Sequence, residues 1–190
     1  MLLQSVMFIA QTNARELRGM DKSIINKAIV DGCSPNLVHK IAPSLSGLCG
    51  TFQDLLSKAE KAAQTAETQE IADQALQNYY ELIDAAESTA DIARNVATQC
   101  LQHGSQGASK DDLEAATLEA YKDKEDFEHI EPLLAIAVDV GHSLGEAIPE
   151  IDEGDEQYLE ASDVVSEQLP EAVNALLLGP YADDSEARWR

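Results

Sequence analysis

The chain predicts an all-α fold, a multi-helix bundle of seven to eight antiparallel helices. Three observations carry this. Every long segment repeats its apolar residues at helical spacing, and none sustains a two-residue alternation. Alanine is abundant while aromatic residues make up only 5%, the composition of closely packed helices, because Ala is the best helix former. Gly, Pro and Ser punctuate the chain often enough to keep connections short.

In chain order, Leu3, Val6, Met7, Ala10 and Leu17 predict a first helix over Leu2–Arg18, ended by Gly19. The apolar run at its start is short and has no basic flank, so it reads as a helix rather than a signal peptide or membrane span. Ile24, Ile25, Ala28 and Ile29 predict a second helix over Asp21–Asp31, with Gly32 at its C′ position. Ser34-Pro35 is a start signal for a short helix (Leu37, Val38, Ile41) that Pro43 should stop. Two long helices follow. Ser44–Thr65 carries Leu45, Leu48, Cys49, Phe52, Leu55, Leu56 and Ala59. Thr68–Gln102 carries Ile71, Ala75, Tyr79, Ile83, Ala86, Ala90, Ala93, Ala97 and Leu101, with a bend expected near Ser88-Thr89.

Gly104–Ser109 reads as the clearest linker. After it, Ser109 caps a helix expected to continue through Leu113, Ala116, Ala120, Phe127 and Ile130. Glu131-Pro132 should start the next, running to Ile148. On it Gly141 and Gly145, four apart, would let a neighbouring helix approach closely. Pro149–Asp155 reads as a loop, 156–169 as a helix, and Pro170–Leu178 as a last short one stopped by Gly179-Pro180. The expected organisation is an N-terminal bundle over 1–103, an acidic helical subdomain over 109–179 packed on it, and a patternless, mobile tail over 180–190. The pair of long helices over Ser44–Leu101 is similar in style to the antiparallel bundles of cytoskeletal adaptors such as vinculin and talin, through its Ala and Leu spacing. No residue role is carried over from that likeness.

At 190 residues and 44% apolar content, a chain can bury roughly 70% of its unfolded surface and needs no disulfide or metal to fold. Charge is the anomaly. The net charge of −22 divides into +2 for residues 1–50, −5 for 51–110 and −19 for 111–190. Phosphate binding needs Lys and Arg, so direct binding of nucleic acid or an anionic membrane by the acidic part is excluded as a reading. Basic protein surfaces and cations remain. Three cysteines, Cys33, Cys49 and Cys100, with no Cys-x-x-Cys, read as free thiols in a reducing, cytoplasmic setting.

The run Ile148-Pro-Glu-Ile-Asp-Glu-Gly-Asp-Glu-Gln-Tyr-Leu-Glu-Ala-Ser-Asp163 holds no Lys, Arg or His. As a calcium loop with Gly154 sixth, it would put Pro149 first and Ile151 third, and neither supplies a side-chain oxygen. The chain has no Glu-x-x-His or His-Glu-x-x-His for a metal, no Gly-x-Ser-x-Gly nucleophile turn and no phosphate loop. Cys49 lies on the apolar stripe with Leu45, Leu48 and Phe52, which reads as packing. His142, in Val140-Gly-His-Ser-Leu-Gly-Glu146, partly resembles the His-x-Leu-Lys-Gly run of histidine phosphotransfer modules. It has Gly where that family has Lys and Glu where it has Gly, and the like charge opposes a phosphohistidine.

The carboxylates therefore read as a surface. Asp112, Glu119, Asp123 and Asp126 recur at seven, four and three, which would line one helix face. Glu150, Asp152, Glu153, Asp155, Glu156 and Glu160 cluster at the following loop. The expected function is a non-enzymatic protein–protein interaction module without cofactor, whose acidic C-terminal surface binds a basic protein partner. In its sharpest form it is a nucleic-acid mimic inhibiting a DNA- or RNA-binding protein. The alternatives are an adaptor or assembly subunit, a homo-oligomer included, that uses apolar helix faces with acidity for solubility, and the phosphotransfer module.

Overall fold

The computed structural model describes residues 36–148 and 156–182. They are all-helical, with no strand among them. Five rods are formed. α1 is Asn36–Gln64, α2 is Gln69–Ser105, α3 is Lys110–Tyr121 and α4 is Phe127–Ala147. α5 consists of Glu156–Asp163, a π-helical turn Val164–Gln168 and Leu169–Leu178, followed by a 3₁₀ turn Gly179–Tyr181. The expected helices Leu2–Arg18 and Asp21–Asp31, the Pro149–Asp155 loop, Cys33, and the tail beyond Ala182 lie outside the described residues.

The expected count of seven to eight helices is not met: the described residues form five where the sequence predicts seven among them, and proline is the reason for that difference. Pro43 does not stop a helix; it sits exposed inside α1. An internal Pro costs about 3 kcal/mol. On either side of it Leu37, Ile41, Leu45 and Leu48 form one buried stripe at helical spacing, and each is worth roughly 1.5–3 kcal/mol on burial. The stripe outweighs the lost hydrogen bond. Pro170 likewise fails to divide the last segment. Just before it the Leu169 N–H donates to the Val164 carbonyl, five residues back. This wider turn accommodates the proline ring and merges the two expected helices into α5.

Two further boundaries move. The helix starting at Ser109 does not reach Ile130; α3 ends at Tyr121 and α4 begins at Phe127, not at Pro132. The residues between them, Lys122-Asp-Lys-Glu-Asp126, are all exposed and include no apolar side chain to hold a helix against the core. The linker is also shorter than Gly104–Ser109. Gly104 and Ser105 belong to α2, Gly104 is buried, and Gly107 makes the turn with φ +91°. Ser109 caps α3 as expected, its Oγ accepting the Asp112 N–H at 3.2 Å.

α2 is the central rod. Its Ala-lined face meets α4, and the spacing of Gly141 and Gly145 does what it predicted. A Cβ on Gly141 would collide with the Ala97 carbonyl oxygen and stand 2.9 Å from Cys100 Cβ. One on Gly145 would collide with the Leu101 carbonyl oxygen and lie 2.9 Å from the Ser105 nitrogen. The two backbones touch directly. α5 packs its Val164, Val165, Leu169, Val173 and Leu177 side onto α1 and α2, and the buried residues of all but α3 form one continuous cluster. Gln53 of α1 donates its Nε2–H to the Leu176 carbonyl at 3.1 Å, satisfying a group that the end of α5 leaves unpaired. Gly179, with φ +52°, ends α5 against that same Gln53 side chain. The expectation of a patternless tail from residue 180 is corrected at its start. Tyr181 and Ala182 are half-buried, and the Tyr181 ring packs edge-on against Tyr79 with centroids 6.0 Å apart.

Candidate interaction surface

The expected row Asp112, Glu119, Asp123 and Asp126 does not lie on one helix. Asp112 and Glu119 belong to α3, while Asp123 and Asp126 stand in the turn between α3 and α4. All four are exposed. Asp112 lies in the first turn of α3, where its charge complements the helix dipole. Glu119 forms an ion pair with Lys122. The Asp126 carbonyl accepts the N–H groups of His129 (2.9 Å) and Ile130 (3.1 Å) and so opens α4. Of the second cluster, Glu150, Asp152, Glu153 and Asp155 lie outside the described residues. Glu156 is exposed at the start of α5, and Glu160 is half-buried.

A second row was missed. Asp163, Glu167 and Glu171 follow one another at four-residue spacing on α5, across the π turn. The Glu167 carboxyl is pushed above its ordinary range, first by a hydrogen bond with Asp163 and then by that neighbour's charge. Glu171 is pushed up by burial and again by Asp163. Glu167 and Glu171 hold protons more tightly because of the Asp163 hydrogen bond and charge at the first and of burial, then that charge, at the second. The sequence carried a signal for this row: no Lys or Arg occurs between Lys124 and Arg188.

Among the described residues of this part of the chain the basic side chains are engaged. Lys110 bridges to Asp139 at 3.1 Å, tying the start of α3 to α4, and this pairing raises its pKa. Lys122 holds Glu119, and the Lys124 ammonium lies 5.2 Å from the centre of the Tyr121 ring. Asp123, Glu125, Asp126, Glu128 and Glu131 are left as an exposed acidic ridge around the α3–α4 turn.

Cys49, Cys100 and His142 have structural surroundings. Cys100 is buried, and burial pushes its thiol up to about 11 despite a hydrogen bond with Thr117; Cys49 is half-buried and raised by the same cause. Both thiols are far from the activated, low-pKa state that nucleophilic chemistry requires. His142 Nε2 lies 3.0 Å from the Ala108 carbonyl, and the Gly104 Cα packs against the His142 backbone and ring. A phosphoryl group on that nitrogen would have to break the contact. Among the described residues no group of three or more His, Cys, Asp or Glu side chains is placed to hold a metal ion. Nor is any described helix long and apolar enough to cross a membrane.

Among the described residues the exposed large apolar side chains lie mainly on α1 and α2. Leu55, Ile71, Leu76 and Tyr80 are 41–53% exposed there, and Leu159 on α5 is also exposed. No family model matches the chain, and no significant match appears among curated proteins or solved structures.

Proposed function

We propose that this chain is a non-enzymatic helical interaction protein whose acidic C-terminal surface binds a basic protein partner. The carrying observation is the excess of negative charge in that half: the ridge from Asp123 to Glu131, which holds one Lys (Lys124), and the row Asp163–Glu167–Glu171, which lies in the stretch from Glu125 to Ala187 without Lys or Arg. Like charges at such spacing repel, and folded chains ordinarily intersperse the two signs. A partner bearing Lys and Arg relieves the repulsion and is steered in by the field. In the sharpest form the partner is a DNA- or RNA-binding protein, with carboxylates standing in for phosphates. The free thiols at Cys49 and Cys100 fit a reducing compartment such as the cytoplasm.

The test is affinity capture from nuclease-treated lysate with stepwise salt elution. The reading expects a basic partner to leave at moderate salt and to be displaced by added DNA when the mimic form holds. Reversing Glu167 and Glu171 to Lys should weaken capture. A partner that stays bound at high salt and ignores those reversals would refute it. One observation favours a second reading, an adaptor or assembly subunit: the exposed Leu55, Ile71, Leu76 and Tyr80 on the α1–α2 hairpin form an apolar surface whose binding would survive salt.

A further inference from the structure

Between α2 and α3 runs a groove of about 340 Å³. Its lining is mostly apolar, with Val96 and Cys100 from α2 and Leu113 and Tyr121 from α3, and it also carries the polar side chains Gln99, His103 and Thr117. No carboxylate and no lysine lines it, although the chain carries 35 Asp and Glu residues. α3 is unusual in burying none of its residues fully. It carries small Ala116 and Ala120 on the side where a tightly seated helix would carry Leu, so it spans the gap without filling it. The ion pair of Lys110 with Asp139 and the contact of His142 with the Ala108 carbonyl fasten its N-terminal end.

The helix that forms one wall of this groove is charged close to Ala116. Asp112 and Glu119 stand four residues before and three after Ala116, on the same flank of α3. Asp123 follows four beyond Glu119, in the turn. A mostly apolar hole beside carboxylates is the arrangement in which a buried anchor supplies residence time while charge supplies steering and orientation.

We infer that the groove is the anchor point of the acidic surface: it takes one large apolar side chain from a basic segment, whose flanking Lys and Arg meet Asp112, Glu119 and Asp123. This rests on the reading above, that the acidic half binds a basic protein. The volume is in the range of small binding pockets, with room for a Trp or Phe side chain. A mostly apolar lining without carboxylate or lysine matches an apolar anchor, and the carboxylates carried by α3 and the turn after it match cationic flanks.

The probe is a fluorescein-labelled heptapeptide, Lys-Arg-Lys-Trp-Lys-Arg-Lys, compared with the same peptide carrying Ala for Trp. The full chain is titrated by fluorescence anisotropy at low and high salt, and the methyl resonances of Val96 and Leu113 are followed by NMR. The Trp peptide should bind about tenfold tighter than the Ala peptide. It should shift the Val96 and Leu113 methyls through its ring current and leave Leu159, exposed on α5, unmoved. Ala116→Trp fills the groove from an exposed position; it should erase the difference between the peptides while both keep salt-dependent binding. Equal affinities, or unmoved Val96 and Leu113 methyls, would overturn the groove and leave the acidic reading standing. If neither peptide binds at low salt, the acidic reading falls and the groove proposal falls with it.

Discussion

Replacing Gly145 by Ala tests the closest contact in the fold. The added methyl would meet the Leu101 carbonyl oxygen, the Ser105 nitrogen and the Gly104 carbonyl carbon, all of them backbone atoms of α2. No side chain can swing aside, so α4 must move off α2 by on the order of 1 Å, and a gap of that size forfeits a quarter to a half of the dispersion energy along the seam. Overpacking of this kind costs about 3 kcal/mol. The substitution also removes a helical Gly, which returns about 1 kcal/mol. The net loss is about 2 kcal/mol, a fall in Tm of about 4–8 °C for a chain of this size. Gly47→Ala and Gly50→Ala supply the control. A Cβ at either would meet nothing within 4 Å, and both residues are exposed inside α1. The propensity gain then acts alone, and each should stabilise by about 0.5–1 kcal/mol. Urea unfolding followed by circular dichroism reads all three. A neutral or stabilising Gly145→Ala would show that α2 and α4 do not touch through their backbones.

Other outcomes follow from the same geometry. Gln53→Ala should destabilise by about 1–2 kcal/mol, because it leaves the Leu176 carbonyl without its donor; hydrogen exchange should quicken most at the end of α5. Gln168 is 2% exposed and neither atom of its side-chain amide is hydrogen-bonded, so the similarly shaped Gln168→Met should raise stability by about 1–3 kcal/mol in chemical denaturation. Ser109→Ala removes the cap of α3 and should cost about 1 kcal/mol. The pH dependence has an unusual sign. Glu167 and Glu171 have folded pKa values above the unfolded carboxylate value, so over that window the native state binds more protons and stability falls as pH rises. Urea midpoints of the parent chain should fall as pH rises above the ordinary carboxylate range, and Asp163→Asn, which removes the neighbouring negative charge at Glu167, should lose much of that fall.

The helical class was legible because it rests on local properties, periodicity and alanine content, which survive tertiary packing. The Gly141–Gly145 contact was legible for the same reason: two small residues four apart mark a helix surface, whatever packs on it. The proline positions were misread because propensity is a local cost and burial a collective gain. At Pro43 the deciding quantity is the four buried side chains around it, and their burial depends on α2 and α5. At Pro170 it is a backbone hydrogen bond to Val164 that no residue pattern announces. The break after Tyr121 was misread in the opposite direction. Phe127 and Ile130 continue the helical spacing of Leu113 and Ala120, yet the five residues from Lys122 to Asp126 have nothing to bury, and the chain turns there.

The charged surface shows where such reading stops. Charge density along the chain marks which half is acidic, and the structure retains that division. It does not mark which carboxylates stand together, since a row at seven, four and three needs an unbroken helix to become a face. With α3 ending at Tyr121 the row divides, and Asp123 and Asp126 become a turn. That division has a chemical consequence. On one helix the four carboxylates would form a stripe matched to a long polyanion. Split across the turn, Asp112 and Glu119 stay on α3, one wall of a groove without carboxylate or lysine in its lining, and the proposed anchor would combine long-range attraction with a local, mostly apolar hole. The row Asp163–Glu167–Glu171 keeps the stripe geometry instead, because α5 continues through its π turn. On the proposed reading the two acidic regions make different demands on a partner: the first would take cations around an apolar side chain, the second only cations. Charge reversal at Glu167 and Glu171 should therefore lower the rate of association and its salt dependence, whereas filling the groove at Ala116 should mainly speed dissociation. Stopped-flow association and dissociation rates with the Trp-bearing heptapeptide separate the two, and identical kinetic effects from both substitutions would show that the surface acts as one undivided field.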